Sequence, residues 1–325
     1  MEGEVQFLGV LENVDSSILN VDFGKGFKVE MMSRGQALAA LPPGYGASRS
    51  GRSDILTPRP FQGASTDLYV IRKTFESWAT TIADVPGAVV DDPAYDDTFL
   101  VTNYLMPRIE VMRLFKEGYV RLGPYVIWET GEDGKVEQEA YSSDYEGRAV
   151  GPWRSKEVYS IKKEDVDGLQ RFLGEVQVPF REEYLRLAHW NFESSYTDRR
   201  DAQAFLSLML GMEALFNPGQ GEVSYRISWS CAALLTNDKG QFEAVYRQAK
   251  KLYSKRSKLV HTGKLGVVSH EDVLELRGLV RRSIVGCYRT GLDKKDLMRE
   301  LHAGGFPRAS RRHGGERKEL RAREV

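Results

Sequence analysis

The chain has 325 residues, 46 basic and 46 acidic side chains, 41% hydrophobic residues and two cysteines, an ordinary globular composition with length enough for two domains. Cys231 and Cys287 are too few for a disulfide framework and, at 56 positions apart, form no zinc ribbon. No apolar run reaches the length of a membrane span, and acidic Met1-Glu2-Gly3-Glu4 is unlike a signal peptide, so a reducing, cytoplasmic setting with no membrane partner is expected.

The zero net charge conceals an asymmetry. Residues 1–195 carry 21 Lys and Arg against 31 Asp and Glu, whereas residues 196–325 carry 25 against 15. Such a chain either docks its halves by charge or brings its basic half to a polyanion.

In chain order, Val5–Leu11 and Ile18–Phe23 are rich in β-branched and aromatic residues and predict strands, with Gly24-Lys25-Gly26 as a turn. Leu41–Thr66 is broken by Gly, Pro and Ser and predicts a surface loop; its single Gly44-Tyr45-Gly46 lacks the spacing of a nucleotide-binding loop. Tyr104–Gly118 predicts a helix despite Pro107, Tyr119–Trp128 a strand, turn and strand, and Glu129–Gly151 a further loop. From about Ile161 the spacing is helical: 164–175, 180–193, 198–216, 223–235, 241–261, 270–288 and 293–302. Ser269 and Asp272 form a capping box, and Gly263 and Gly291 are placed as helix stops.

The expected fold class is therefore α+β. A mixed, partly β domain over 1–155 leads through connecting helices over 156–195 to a helical bundle over 196–302. The tail 303–325, with seven basic and three acidic residues, has too little apolar surface to fold alone.

One helix carries an anomaly. Over 241–261, Val245, Tyr246, Ala249, Leu252, Tyr253, Leu259 and Val260 share an apolar face, and Arg247, Lys250, Lys251, Lys255 and Lys258 form a basic stripe opposite. Arg256 points into the apolar face, where an unpaired charge costs several kcal/mol or more. Glu213, the one charged residue between Asp201 and Glu222, is similarly stranded in an apolar run, so Glu213 is expected to pair with Arg256 or Arg226. His261 follows Arg256 by five residues, about 140° around an ideal helix. The two converge only if the helix breaks or a second copy completes the site.

Leu252-Tyr253-Ser254-Lys255-Arg256-Ser257-Lys258-Leu259-Val260-His261 resembles the Arg-x4-6-His signature of HEPN domains. The segments 205–216 and 225–235 are similar, in the same order, to those of the ApeA-like HEPN branch. The resemblance covers about 196–300. Thr262 stands before Gly263, where a glycine often follows the family's histidine directly. A second match, Arg308 to His313, lies in the Gly-rich tail with nothing to hold its geometry, and is set aside.

The resemblance implies a homodimeric, metal-independent endoribonuclease of toxin or anti-phage defence systems, with RNA as partner, no cofactor, and a regulatory partner or antitoxin. Arg256 and His261 would be catalytic, the cation stabilising the phosphorane and the imidazole moving protons. Lys251, Lys255, Ser257 and Lys258 would support them or bind flanking phosphates. Tyr225 and Arg226 would contact substrate or, with Glu213, hold the site. The alternative is an inactive HEPN-type helical module that dimerises and binds RNA or protein, Arg256 serving Glu213 structurally. Ser194, Ser195 and Asp198 have no positioned histidine for a hydrolase, Trp153 and Trp190 read as core or interface aromatics, and Cys231 as a buried apolar residue. Three roles are open to the acidic first half: sensing a trigger, holding the nuclease inactive, or competing with RNA for the basic helices.

Overall fold

The computed structural model describes residues 4–41, 67–75, 101–131, 135–142, 158–198, 200–217, 219 and 222–303. Most of the expected 41–66 loop, Trp153, and the tail with Arg308 and His313 lie outside the described residues. The chain is α+β and divides into two compact units, Met1–Arg181 with Tyr196–Arg200, and Glu182–Ser195 with Asp201–Val325. This division places most of the helix that follows Arg181 with the C-terminal helices.

The first unit is built on a five-stranded antiparallel sheet of order β2-β3-β1-β4-β5. Its strands are β1 (Glu4–Glu12), β2 (Lys28–Ser33), β3 (Asp67–Phe75), β4 (Arg121–Thr130) and β5 (Val136–Ser142). β1 is central, so both its faces are apolar: Leu8 and Val10 pack with Leu68, Val70, Val126 and Trp128 under Ala37 and Leu41 from helix α1 (Arg34–Ala39) and its end. On the other face Phe7 meets Phe27 and Tyr125, with ring centroids 5.7 and 5.8 Å apart. Gly9 sits beneath these rings, and a Cβ there would fall 2.9 Å from both Leu122 and Phe7 side-chain atoms. Helices α2 (Met106–Phe115), with Pro107 in its first turn, and α3 (Val166–Glu175) complete the unit.

Three expectations are corrected here. Ile18–Phe23 is no strand: Asp15 caps a short 3-10 turn, Ser16–Asn20, that turns Ile18 inward, before positive φ at Gly24, Lys25 and Gly26 leads into β2. The predicted turn at Gly123-Pro124 is a bulge inside one continuous β4. Register shifts between the pairs Gly9 with Tyr125 and Leu11 with Leu122, so two residues of β4 oppose one of β1. β5 begins pairing only at Tyr125, and Pro124 therefore displaces no ladder hydrogen bond. Finally, the acidic stretch after Trp128 holds β5, an edge strand whose polar residues gave no apolar alternation.

The second unit is helical: α4 (Glu183–Thr197, its last turn counted with the first unit), α5 (Asp201–Phe216), α6 (Val223–Leu235), α7 (Lys239–Thr262), α8 (His270–Thr290) and α9 (Lys294–Ala303). α5 is apolar almost all round and is the core helix, with Phe205, Leu208, Leu215 and Phe216 fully buried. At Gly211 it comes so close to α4 that a Cβ would lie 3.3 Å from the Ala188 carbonyl oxygen. Among polar groups, Arg277 of α8 is buried and donates to Ser195 Oγ and Ser195 O, both at 3.1 Å. Ser195 is thus an acceptor for the buried guanidinium. Cys231 is buried, 3.7 Å from Ser283 Oγ, and burial pushes its thiol up to about 11. Trp190 is not in the core: it is 71% exposed.

The start of α8 follows its capping box. Asp272 accepts from Ser269 N–H at 2.8 Å and from Ser269 Oγ at 2.9 Å, and the Ser269 hydroxyl oxygen accepts from the Asp272 N–H at 3.3 Å. Burial alone would raise the Asp272 carboxyl, but hydrogen bonds from Lys255 and Ser269, with the Lys255 charge, hold it below the ordinary carboxylate range. Its stabilising contribution is therefore present above about pH 4 and lost as pH falls through the lowered folded value. Asp272→Asn is expected to cost about 1 kcal/mol at pH 7, seen as a lower melting temperature by circular dichroism. The gap to wild type should close as pH is lowered toward 3; a constant gap would show that the charge is not what stabilises.

Candidate active site on helix α7

α7 is long and uninterrupted because both its ends are chemically fixed and its interior contains no proline. Asp238 caps it, accepting from Gln241 N–H at 2.9 Å, and Gly263 ends it in the left-handed region at φ 66° with its N–H donating to Leu259 O at 3.0 Å. Ala249, Leu252 and Leu259 are buried beneath it. Val260, expected on the buried face, is 51% exposed, although Leu259 beside it in the same turn is buried.

Arg256 has the partner its position demands. Its Nη2 lies 3.3 Å from Glu213 Oε1 on α5, both side chains being mostly buried. Tyr253, one turn before Arg256, also donates to Glu213 Oε1, at 3.4 Å, and its ring centroid is 5.8 Å from the guanidinium carbon. Burial, with the neighbouring Glu213 charge, raises the Tyr253 phenol, so it serves as a donor. Arg256, Glu213 and Tyr253 are one network joining α5 to α7. Of the two cations proposed for Glu213, the ion pair is with Arg256; Arg226 instead places its charge near His302, whose imidazole is lowered first by burial and then by that charge.

His261 stands exposed in the last turn of the same helix. No break occurs between it and Arg256, so the two diverge by about 140° within one chain. The structure assembles half of the expected site, the cation with its carboxylate, and leaves the imidazole at the helix end. Ser257 is half-buried, and Lys251 and Lys258 are exposed.

Lys255 departs from the expected basic stripe. Its ammonium is 2.6 Å from the buried Asp272 carboxylate, tying α7 to the capped start of α8, which assigns it to holding helices together rather than to a phosphate. Sequence reasoning missed two contributors. Tyr253 belongs to the apolar face by spacing, but a hydroxyl one turn from a stranded Arg on that face signals a third network member. The other is the gathering of Tyr225, itself a sequence candidate for substrate contact, with Trp229, Phe242 and Tyr246 into one cluster of rings across α6 and α7.

Among the described residues no three His, Cys, Asp or Glu side chains gather as a metal could require, and no helix is long and apolar enough to cross a membrane. Comparison of the chain with known protein families, with curated proteins and with solved structures finds no match.

The network sets an energetic expectation. Arg256→Ala leaves Glu213 partly buried without its cation and should destabilise by about 1–3 kcal/mol. Arg256→Ala with Glu213→Ala should cost less than the two singles added, a coupling of about 0.5–3 kcal/mol. His261→Ala, at an exposed helix end, should stay within about 0.5 kcal/mol of wild type. Urea unfolding followed by circular dichroism measures all four; additive single costs would dissolve the pair.

Proposed function

We propose that the chain is a HEPN-type endoribonuclease that acts as a homodimer, cutting RNA without a metal, in a toxin or anti-phage defence role. The observation that supports this best is the arrangement on α7. A guanidinium is held on the inner side of a rigid helix by a carboxylate and a phenol, with a solvent-exposed histidine at the capped end of the same helix. A fixed cation and a proton carrier are what cleavage by an internal nucleophile requires.

The RNA 2′-oxygen attacks the adjacent phosphorus and loses its proton, the bond to the 5′-oxygen breaks, and that oxygen gains a proton. The products are a 2′,3′-cyclic phosphate and a 5′-hydroxyl, with no net consumption of water. An imidazole is the side chain whose ordinary pKa suits proton transfer near neutrality, the role given to His261. Arg256 stabilises the charge gathering on the phosphorane oxygens. Because Arg256 and His261 diverge on a helix that does not break, each site draws its arginine from one chain and its histidine from the other. Lys251 and Lys258 bind flanking phosphates.

The Arg256–Glu213 pair also favours a second reading, a silent helical module in which Arg256 only satisfies Glu213. Cleavage of labelled RNA in EDTA separates the two. Wild type should cut, and Arg256→Ala and His261→Ala, each folded by circular dichroism, should both fail. Mixing the two dead variants should then restore cutting, because a mixed dimer retains one complete site. Chelator-resistant cutting that survives His261→Ala, or no cutting by wild type, would remove the nuclease reading.

A further inference from the structure

The rings of α6 and α7 form a connected series. Tyr225 and Trp229 lie one turn apart on α6 with centroids at 5.8 Å, Trp229 meets Phe242 edge-on at 4.8 Å, and Phe242 is parallel to Tyr246 one turn later at 6.3 Å. Tyr246 closes the series by an edge contact to Tyr225 at 6.3 Å. A helix hairpin that needed only apolar cement would bury such rings. Here none is buried, and Tyr225, at the outer end, is 43% exposed.

The charge around the rings is basic. Lys250 holds its ammonium 5.6 Å from the Tyr246 centroid, and Lys250, Lys251 and Arg247 are exposed beside it. Of the carboxylates on these two helices and at their N-caps, Glu243 is paired with Arg247 at 2.5 Å, Glu222 stands at the N-cap of α6, and Asp238 at the N-cap of α7 is engaged by the Gln241 N–H. Direction matters as well. Tyr246, Lys250, Ser257 and His261 fall within about 60° of one another around α7, and Tyr246 to His261 spans about 22 Å along it. Rings, ammonium and imidazole therefore lie along one side of one rigid rod.

We infer that Tyr225 and Tyr246 form a base-stacking platform for single-stranded RNA, with Lys250 carrying the backbone toward His261. Rested on the nuclease reading above, this names its substrate class. Stacking on aromatic side chains requires unpaired bases, whose faces a duplex hides. An aromatic surface with the ammonium groups of Lys250 and Lys251 exposed beside it fits a polyanion with flat faces.

Binding is measured apart from cleavage, by fluorescence anisotropy of the full-length protein with a short labelled 2′-O-methyl oligoadenylate, whose blocked 2′-oxygen cannot attack. The same strand annealed to its complement is the duplex control. Tyr225→Ala should weaken single-strand binding about 5- to 150-fold, the range measured for loss of one stacked base, whereas Tyr225→Phe keeps the ring and the affinity. Duplex binding should be the same in all three. Lys250→Gln should reduce the salt dependence by about one phosphate contact. Unchanged single-strand affinity in Tyr225→Ala overturns the platform, as does an equal loss for strand and duplex. So does a change of mass by light scattering with RNA affinity intact, which would assign the rings to a protein contact. The readouts fail separately: cutting that survives His261→Ala sinks the catalytic reading while Tyr225-dependent binding stands, and the converse pattern sinks the platform alone.

Discussion

A guanidinium on the inward side of a packed helix is tolerated only if a carboxylate meets it there, and this requirement organises the helical unit. Glu213 has to face α7, which, together with the close approach of Gly211 to α4, fixes the rotation of α5 about its own axis, because every other residue of α5 between Asp201 and Phe216 is uncharged. Tyr253 reinforces the same contact from α7. A second charged contact, Lys255 to Asp272, then fixes α7 against α8. With one polar tie on each side, α7 cannot rotate or slide without stranding a charge, whereas apolar packing alone would have tolerated several registers.

The helical half was legible in the sequence because its signals are local. Ser269, Gly263 and Gly291 mark helix ends by capping chemistry that needs no knowledge of the rest of the chain, and all three act as their residue types dictate. The stranded charges were legible for a related reason: a lone Arg or Glu at apolar spacing demands a partner, and few candidates exist. Partner choice was less legible. Lys255 belongs to the basic stripe by its angle on the helix, yet its stem reaches round to a buried carboxylate on a helix that begins fifteen residues later.

The sheet was harder to read because its signals are not local. β5 is an edge strand with one neighbour and mostly polar residues, so no apolar alternation announces it. Gly123-Pro124 has the composition of a turn, and only the register slip against β1 converts it into a bulge. β3 pairs with β1 across about sixty residues of chain and carries Arg72 and Lys73 within its apolar pattern. A strand's identity depends on which partners cover its faces, and that information lies elsewhere in the sequence.

The geometry of the Glu213 contact bears on whether Arg256 is only a structural cation. Tight charge-assisted pairs close to about 2.7–2.9 Å and are often bidentate. Here Nη2 stands 3.3 Å from one carboxylate oxygen, and that oxygen is shared with the Tyr253 hydroxyl. Roughly a quarter of the arginine side chain remains exposed, at 28%. A guanidinium has five N–H donors, so a long contact to one oxygen orients it without exhausting it. On the proposed nuclease reading, a phosphate would add to the unengaged edge without expelling Glu213, and the carboxylate would anchor the arginine between encounters. A purely structural pair would gain by closing to bidentate contact. The open geometry leaves a positioned cation beside solvent, which is the arrangement that the proposed cleavage, with its developing phosphorane charge, would require.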